Sequence, residues 1–268
     1  MSLVNGIPSD CLPVEDRGLA YGDGVFRTLR VQDGQPVWWR DHYAKLVRDA
    51  AALNLPCPEA AILLDEIFLL AEGRDGVVKL VLTRGGGPRG YAPPADPRVT
   101  RIVIFSPPPE NAPGQRVEDI NVRWCTLRLG RQSRLAGIKH LNRLENVLAR
   151  AEWRDPAIHE GLLCDDTGAV ISGIMGNLFI VSQGALMTPD LAQCGVAGVA
   201  RTRILRAAGE RGMTVGVTRI EAQDVQSADA VMLCNSVQGV RRVARLETQT
   251  WPSSRWADTL NTWLYEVD

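Results

Sequence analysis

Lysine is scarce in this chain: of 30 basic residues only Lys45, Lys79 and Lys139 are lysine, so any amine chemistry has three candidates. A lysine kept neutral by burial or neighbouring cations can attack a carbonyl and hold it as a Schiff base. Lys139 lies in RLAGIKHLNRLENVLAR (134–150), with basic neighbours His140 and Arg143 beside it. Leu141, Leu144, Leu148 and Ala151 recur at spacings of three, four and three, so 139–153 reads as a helix with one buried face. Lys139, Arg143 and Asn146 share another face, which puts Lys139 at a helix start with cations beside it. Such surroundings pull an amine below its usual pKa of about 10.4. A lone lysine is otherwise most often a solvated charge, so the chemistry needs partners elsewhere.

One partner is a phosphate cradle. In CGVAGVARTRILRAAG (194–209), Gly195 and Gly198 introduce a helix whose first free amides belong to Val199 and Ala200, the arrangement that binds anions. Asn235-Ser236 forms a second polar turn. A third pattern fails: Gly85, Gly87 and Gly90 in RGGGPRGY match the dinucleotide fingerprint, but YAPPADP follows and proline cannot supply the helix that must hold the pyrophosphate. That stretch reads instead as a loop offering Arg89 and Tyr91 to a substrate.

These groups must be positioned by two domains. SPPPENAPGQ (106–115) has linker composition, so 1–110 is expected to be an α+β N-terminal domain and 111–268 a C-terminal α/β domain carrying the Schiff-base lysine. In the first, a strand at 2–5, a helix through Tyr43, Leu46, Ala50 and Leu53, a helix at 58–72 and strands at 77–84 and 101–105 are predicted. In the second, VEDINVRWCTL alternates as a strand, EGLLCDDTGAVISG and NLFIVSQGALMTP read as hairpins, TRILRAAGERG is a helix ended by Gly212, and MTVGVTRI and DAVMLCNS are strands. Consecutive hairpins argue against a doubly wound sheet and for an α+β fold.

Composition excludes several functions. With 30 basic and 31 acidic residues, a net charge of -1 and a pI near 6.3, the chain has no electrostatic footprint for nucleic acid or an anionic membrane. Six scattered cysteines and three scattered histidines lack metal-site or disulfide spacing. The N-terminus lacks the pattern of a signal peptide and the apolar runs are shorter than a membrane span, so a cytoplasmic enzyme is expected. Small molecules or a second copy of the chain are the expected partners.

Four motifs carry a family resemblance: DRGLAYGDGVFRTLR (16–30), TRGGGPRGY (83–91), LAGIKHLNRLENVLAR (135–150) and CNSVQG (234–239). Together they resemble the fold-type IV pyridoxal-phosphate enzymes over nearly the full length, and GIKHLNRLE looks like their 4-amino-4-deoxychorismate lyase branch, which makes 4-aminobenzoate for folate. The resemblance implies a two-domain α+β fold, like that of D-amino-acid aminotransferase, with pyridoxal 5'-phosphate between the domains of a homodimer. It makes Lys139 the Schiff-base lysine and Thr28 the hydroxyl near the leaving group. By the same match Arg89 and Asn235 hold substrate carboxylate or hydroxyl groups, Tyr91 and Arg30 lie on the substrate side, and Ser236, Val199 and Ala200 bind phosphate.

Two positions depart from the family pattern. Ser172 stands where a glutamate usually faces the pyridine nitrogen, and Lys45 replaces a phosphate-binding arginine, keeping the charge without the bidentate fork. A serine leaves a weaker electron sink, which disfavours transamination more than an elimination driven by aromatisation. The lyase reaction is therefore expected, with D-amino-acid or branched-chain aminotransferase chemistry as the alternative and a non-catalytic scaffold as a third reading.

Overall fold

A computed structural model describes residues 1–108 and 119–267. Most of the expected linker and the 110/111 boundary lie outside the described residues. The chain divides into two compact units, Met1–Ala112 with Ile138–Asn142, and Pro113–Gly137 with Arg143–Asp268. Lys139, expected within the C-terminal domain, therefore belongs to the first unit.

The first unit is a six-stranded sheet in the order β2-β1-β6-β5-β3-β4. Its strands are β1 (Ser2–Val4), β2 (Ile7–Pro8), β3 (Gly24–Gln32), β4 (Gln35–Pro36), β5 (Gly76–Thr83) and β6 (Thr100–Ser106). Strand pairing is antiparallel throughout. Three helices join it: α1 (Arg17–Tyr21), α2 (Trp39–Ala52) and α3 (Ala60–Ala71). Leu46 and Ala50 of α2 and Leu63, Ile67 and Leu70 of α3 recur at helical spacing and are buried with Leu29, Val78, Leu80 and Val103 of the sheet. Each such leucine or isoleucine contributes roughly 1.5–3 kcal/mol relative to exposure, which seats α2 firmly on the sheet.

The second unit holds a nine-stranded mixed sheet, β12-β11-β10-β13-β14-β7-β8-β9 with β15 paired to β14. These strands are β7 (Asp119–Leu129), β8 (Glu160–Asp165), β9 (Val170–Gly173), β10 (Asn177–Ser182), β11 (Ala185–Pro189), β12 (Val215–Thr218), β13 (Ala230–Asn235), β14 (Gly239–Leu246) and β15 (Gln249–Thr250). The two expected hairpins are β8–β9 and β10–β11, both antiparallel. The helices are α4 (Leu144–Arg150), α5 (Val199–Glu210), α6 (Ala222–Ser227) and α7 (Trp256–Glu266). In α7, Ala257, Leu260 and Leu264 are buried, and the Asn261 carboxamide exchanges two 2.8 Å hydrogen bonds with the Val240 backbone.

The segment around Lys139 departs most from expectation. The helix predicted over 139–153 begins only at Leu144, and Lys139 is not at its start. Gly137 takes a left-handed φ of +76°, which breaks any helix there. Residues 139–141 instead run beside β3: Val25 bridges His140, the Phe26 N–H donates to the Lys139 carbonyl at 2.9 Å, and the Leu141 N–H donates to the Gly24 carbonyl at 3.0 Å. Nor is the leucine face buried, since Leu144 is 68% and Leu148 53% exposed.

Candidate active site

Strand alternation puts Phe26, Thr28 and Arg30 on one face of β3 and Val25, Arg27 and Leu29 on the other. Lys139 reaches that first face: its Nζ lies 4.6 Å from the Phe26 ring centre, a cation–π distance. Lys79, directly opposite Thr28 in the β3–β5 register, approaches the same ring at 5.3 Å. The face therefore gathers two lysine side-chain nitrogens, a threonine hydroxyl and the Arg30 guanidinium, which donates to Gln32 Oε1 at 2.7 Å. Sequence reasoning selected Lys139, Thr28 and Arg30 but not Lys79, although the alternation of GVVKLVLT against GVFRTLRVQ carries that signal.

Behind Lys139 lies a buried charge cluster that sequence reasoning also missed. Asp49 of α2 pairs with Arg27 and, one helical turn back, with Lys45. It also accepts the Lys139 backbone N–H at 2.9 Å. Burial pushes the Asp49 carboxyl up, but Arg27, Lys45 and the amide outweigh it and hold its pKa below the ordinary value. Burial pulls Lys45 down to about 8, helped by Arg27 and Arg48 and opposed by Asp49.

The DRG-x-x-YGDG run supports the loop that carries Arg89 and Tyr91. Buried Asp16 accepts from Thr83 at 2.9 Å, Thr100 at 2.8 Å and the Gly18 N–H at 2.8 Å. Arg17 donates to the carbonyls of Gly90 (2.9 Å) and Tyr91 (3.0 Å), and its Nε reaches Asp23 at 3.0 Å. Burial raises the Asp23 pKa, yet Arg84 and Arg17 together hold it below its usual range. The rejected dinucleotide glycines lie in this irregular loop between β5 and β6, and the loop leaves Arg89 exposed and Tyr91 86% exposed.

In the second unit, α5 starts at Val199, and no side chain caps it at Gly198. The Val199 and Ala200 amides thus point out of a helix end with no intrahelical acceptor. Asn177 braces the turn, its Oδ1 accepting the Gly198 N–H at 3.1 Å and its Nδ2 donating to the Val196 carbonyl at 2.8 Å. The Asn235 side chain closes its own turn: Oδ1 accepts the N–H groups of Val237 (2.9 Å) and Gln238 (2.8 Å), and Nδ2 donates to Gln238 Oε1 at 3.0 Å. This fixes the backbone that presents Ser236. Ser172 is buried on β9 opposite Leu163. The carboxyl carbon of buried Glu160 lies 3.3 Å from where a side chain on Gly173 would start, and since adjacent strand residues point to opposite faces, it lies on the face away from Ser172.

The family model for class IV amino-transferases matches residues 24–246. The chain belongs to the class IV aminotransferase family. Among solved structures it is similar to 4-amino-4-deoxychorismate lyase from Pseudomonas aeruginosa, 41% identical with a TM-score of 0.92, covering 99% of this chain and 98% of that one. It is 35% identical to the aminodeoxychorismate lyase of Vibrio harveyi, over 91% of this chain and 90% of the relative. It is also 31% identical to a putative branched-chain-amino-acid aminotransferase of Methanocaldococcus jannaschii, over 87% and 82% respectively. Taken by itself, each unit offers groups that suit pyridoxal phosphate. The first unit offers an amine whose backbone is tied on both sides, and the second an uncapped helix start braced by Asn177. Among the described residues no group of three or more His, Cys, Asp or Glu could hold a metal ion, and no helix is long and apolar enough to cross a membrane.

Proposed function

We propose that this chain is a pyridoxal-phosphate-dependent lyase converting 4-amino-4-deoxychorismate to 4-aminobenzoate and pyruvate, a step toward folate. The observation that carries the reading is Lys139 poised over Phe26 on the strand face that also holds Thr28. Full-length likeness to two aminodeoxychorismate lyases supports the choice of reaction.

When bound, the cofactor supplies an aldehyde that engages the substrate amine and a ring that draws electrons from the adjoining carbon. Lys139 would hold that aldehyde in the resting enzyme, and its amine is the base that takes the proton from substrate C4. Thr28 gives a proton to the methylene carbon of the enolpyruvyl group as the C3–O bond breaks, which releases pyruvate and leaves an aromatic ring. Arg89 and Asn235 hold carboxylate or hydroxyl groups of the substrate, with Tyr91 and Arg30 beside them. Val199, Ala200 and Ser236 bind the phosphate. Ser172 offers the pyridine nitrogen a hydroxyl that hydrogen-bonds without holding the ring protonated, which suits elimination better than transamination.

Lys45 meets the phosphate as a point charge, and its pKa of about 8 sets a pH dependence. Below that value the amine is charged; above it the charge is lost, so cofactor retention should weaken as pH rises past 8, by roughly tenfold for one charged hydrogen bond. Lys45→Arg should flatten this profile, as read by cofactor dissociation at pH 7 and pH 9.5; equal dissociation of the unaltered enzyme at both would refute the assignment. For folding the sign is opposite. Between 8 and 10.5 the unfolded chain keeps a proton that the folded Lys45 has released, so this group's contribution to stability increases with pH there.

The exposed apolar face of α4, with Leu144, Val147 and Leu148 at helical spacing, supports a homodimer. Leu148→Glu should shift the sedimentation velocity of the enzyme from dimer to monomer, and an unchanged dimer would remove α4 from the interface. The second reading is an aminotransferase, favoured by the 31% identity to a putative branched-chain enzyme. It predicts conversion of the bound cofactor to its amine form on adding an amino acid without a keto acid, a change the lyase should show slowly or not at all.

A further inference from the structure

Both backbone groups of Lys139 are held, and by different elements. Its carbonyl accepts the Phe26 N–H of β3 at 2.9 Å. Its N–H donates at 2.9 Å to Oδ2 of Asp49, which comes from α2, ninety positions earlier in the chain. The two bonds fix the peptide on either side of the Lys139 Cα and therefore set the direction in which the side chain leaves toward the Phe26 ring.

A tether to one amide does not need a carboxylate; asparagine or serine would accept the same hydrogen bond. This chain instead buries Asp49 with Arg27 and Lys45, an arrangement whose desolvation penalty is substantial and is offset only by good pairing. Arg27 is itself fastened by donating to the Phe26 carbonyl at 2.7 Å and the Lys45 carbonyl at 3.0 Å, so the carboxylate has little freedom to move. Lys79 of β5 lies at the Phe26 ring on the other face of the sheet; the charged groups facing Asp49 are Arg27 from β3 and Lys45 from α2, with Arg48 close enough to act on both. Asp49 is the acid set among these cations.

We infer that Asp49 is a positioning residue for Lys139: its carboxylate aims the lysine through the backbone amide, and its charge offsets the surrounding cations at the lysine nitrogen. This rests on Lys139 being the residue that binds the cofactor aldehyde.

The test uses the full-length enzyme with pyridoxal phosphate, trapping the cofactor on lysine with borohydride and mapping the adduct by mass spectrometry. Adduct on Lys45 or Lys79 in the unaltered enzyme would refute the reading of Lys139 itself, independently of Asp49. With adduct on Lys139, Asp49→Ala should slow trapping by roughly tenfold while Asp49→Asn, which keeps the acceptor, should stay within about threefold. Both variants lose the negative charge, so both should move the pH midpoint of the bound cofactor's visible absorbance down by about one unit. A folded Asp49→Ala enzyme with unaltered trapping rate and midpoint would overturn the inference, as would Asp49→Asn trapping as slowly as alanine. Should Asp49→Ala lack a cooperative thermal transition, hydrogen exchange at the Lys139 amide in Asp49→Asn decides. Protection like that of the unaltered enzyme supports the tether, and exchange more than about tenfold faster overturns it.

Discussion

Lys139→Ala should lose the visible absorbance that bound pyridoxal phosphate gives on lysine, and lyase turnover should fall by roughly a thousandfold. The two effects share one origin. The amine that anchors the cofactor is also the base placed to remove the substrate proton. Phe26 and Thr28 are two residues apart on β3 and share a face, so a base over the ring at 4.6 Å works on the same strand face as the threonine hydroxyl. Lys79, 5.3 Å from that ring, is the control for simple loss of positive charge. Lys79→Ala should keep the absorbance, because the backbone of Lys79 is paired within the sheet, opposite Thr28 and Ile104, whereas Asp49 holds that of Lys139. A Lys139→Ala enzyme that retained the band would place the cofactor on another lysine.

The second large effect is on stability. At Gly24 the chain comes so close to its neighbours that a Cβ would sit 2.3 Å from the Leu82 carbonyl oxygen and 2.8 Å from Leu141 Cδ1. The first contact is with the β5 backbone, which cannot swing aside as a side-chain tip can. The second pushes directly on the segment bearing Lys139, whose Leu141 N–H donates to Gly24 itself. Gly24→Ala should therefore cost about 2 kcal/mol by overpacking and lower the melting temperature by roughly 5 °C. Cofactor retention should weaken with it. Calorimetry of the apo and loaded protein separates the two, and an unchanged melting temperature would show that β3 and the 139–141 segment yield at no cost.

Much of this was legible in the residues. The alternation in VVKLVLT and RIVIF gave β5 and β6, the DDTG and SQG turns gave both hairpins, and Gly198 with Gly212 bracketed α5. These signals are local, arising from strand pleat, turn chemistry and helix ends. The error at 139–153 has a physical cause. Leucine spacing reports which residues share a face, not what covers it, and the backbone of 139–141 finds its partners on β3, over a hundred positions earlier. Gly137, at a left-handed φ, was the local warning that the helix could not start so early. Asp49 and Arg27 were illegible for a related reason: in sequence one is an ordinary helix acid and the other an ordinary strand arginine. Their meaning comes only from the crossing of α2 and β3 beneath Lys139. In sequence the motif DRGLAYGDG is a family mark; in the structure Asp16 and Asp23 anchor the arginines and threonines that hold the Arg89 loop.

Elimination rather than amino transfer is tested most directly by product analysis. Purified enzyme loaded with pyridoxal phosphate is given 4-amino-4-deoxychorismate, and 4-aminobenzoate and pyruvate are quantified together, beside a parallel incubation with D-alanine or a branched-chain amino acid and a keto acid. The two products should form in equal amounts, with amino transfer slower by orders of magnitude. Rapid amino transfer with no 4-aminobenzoate would contradict it.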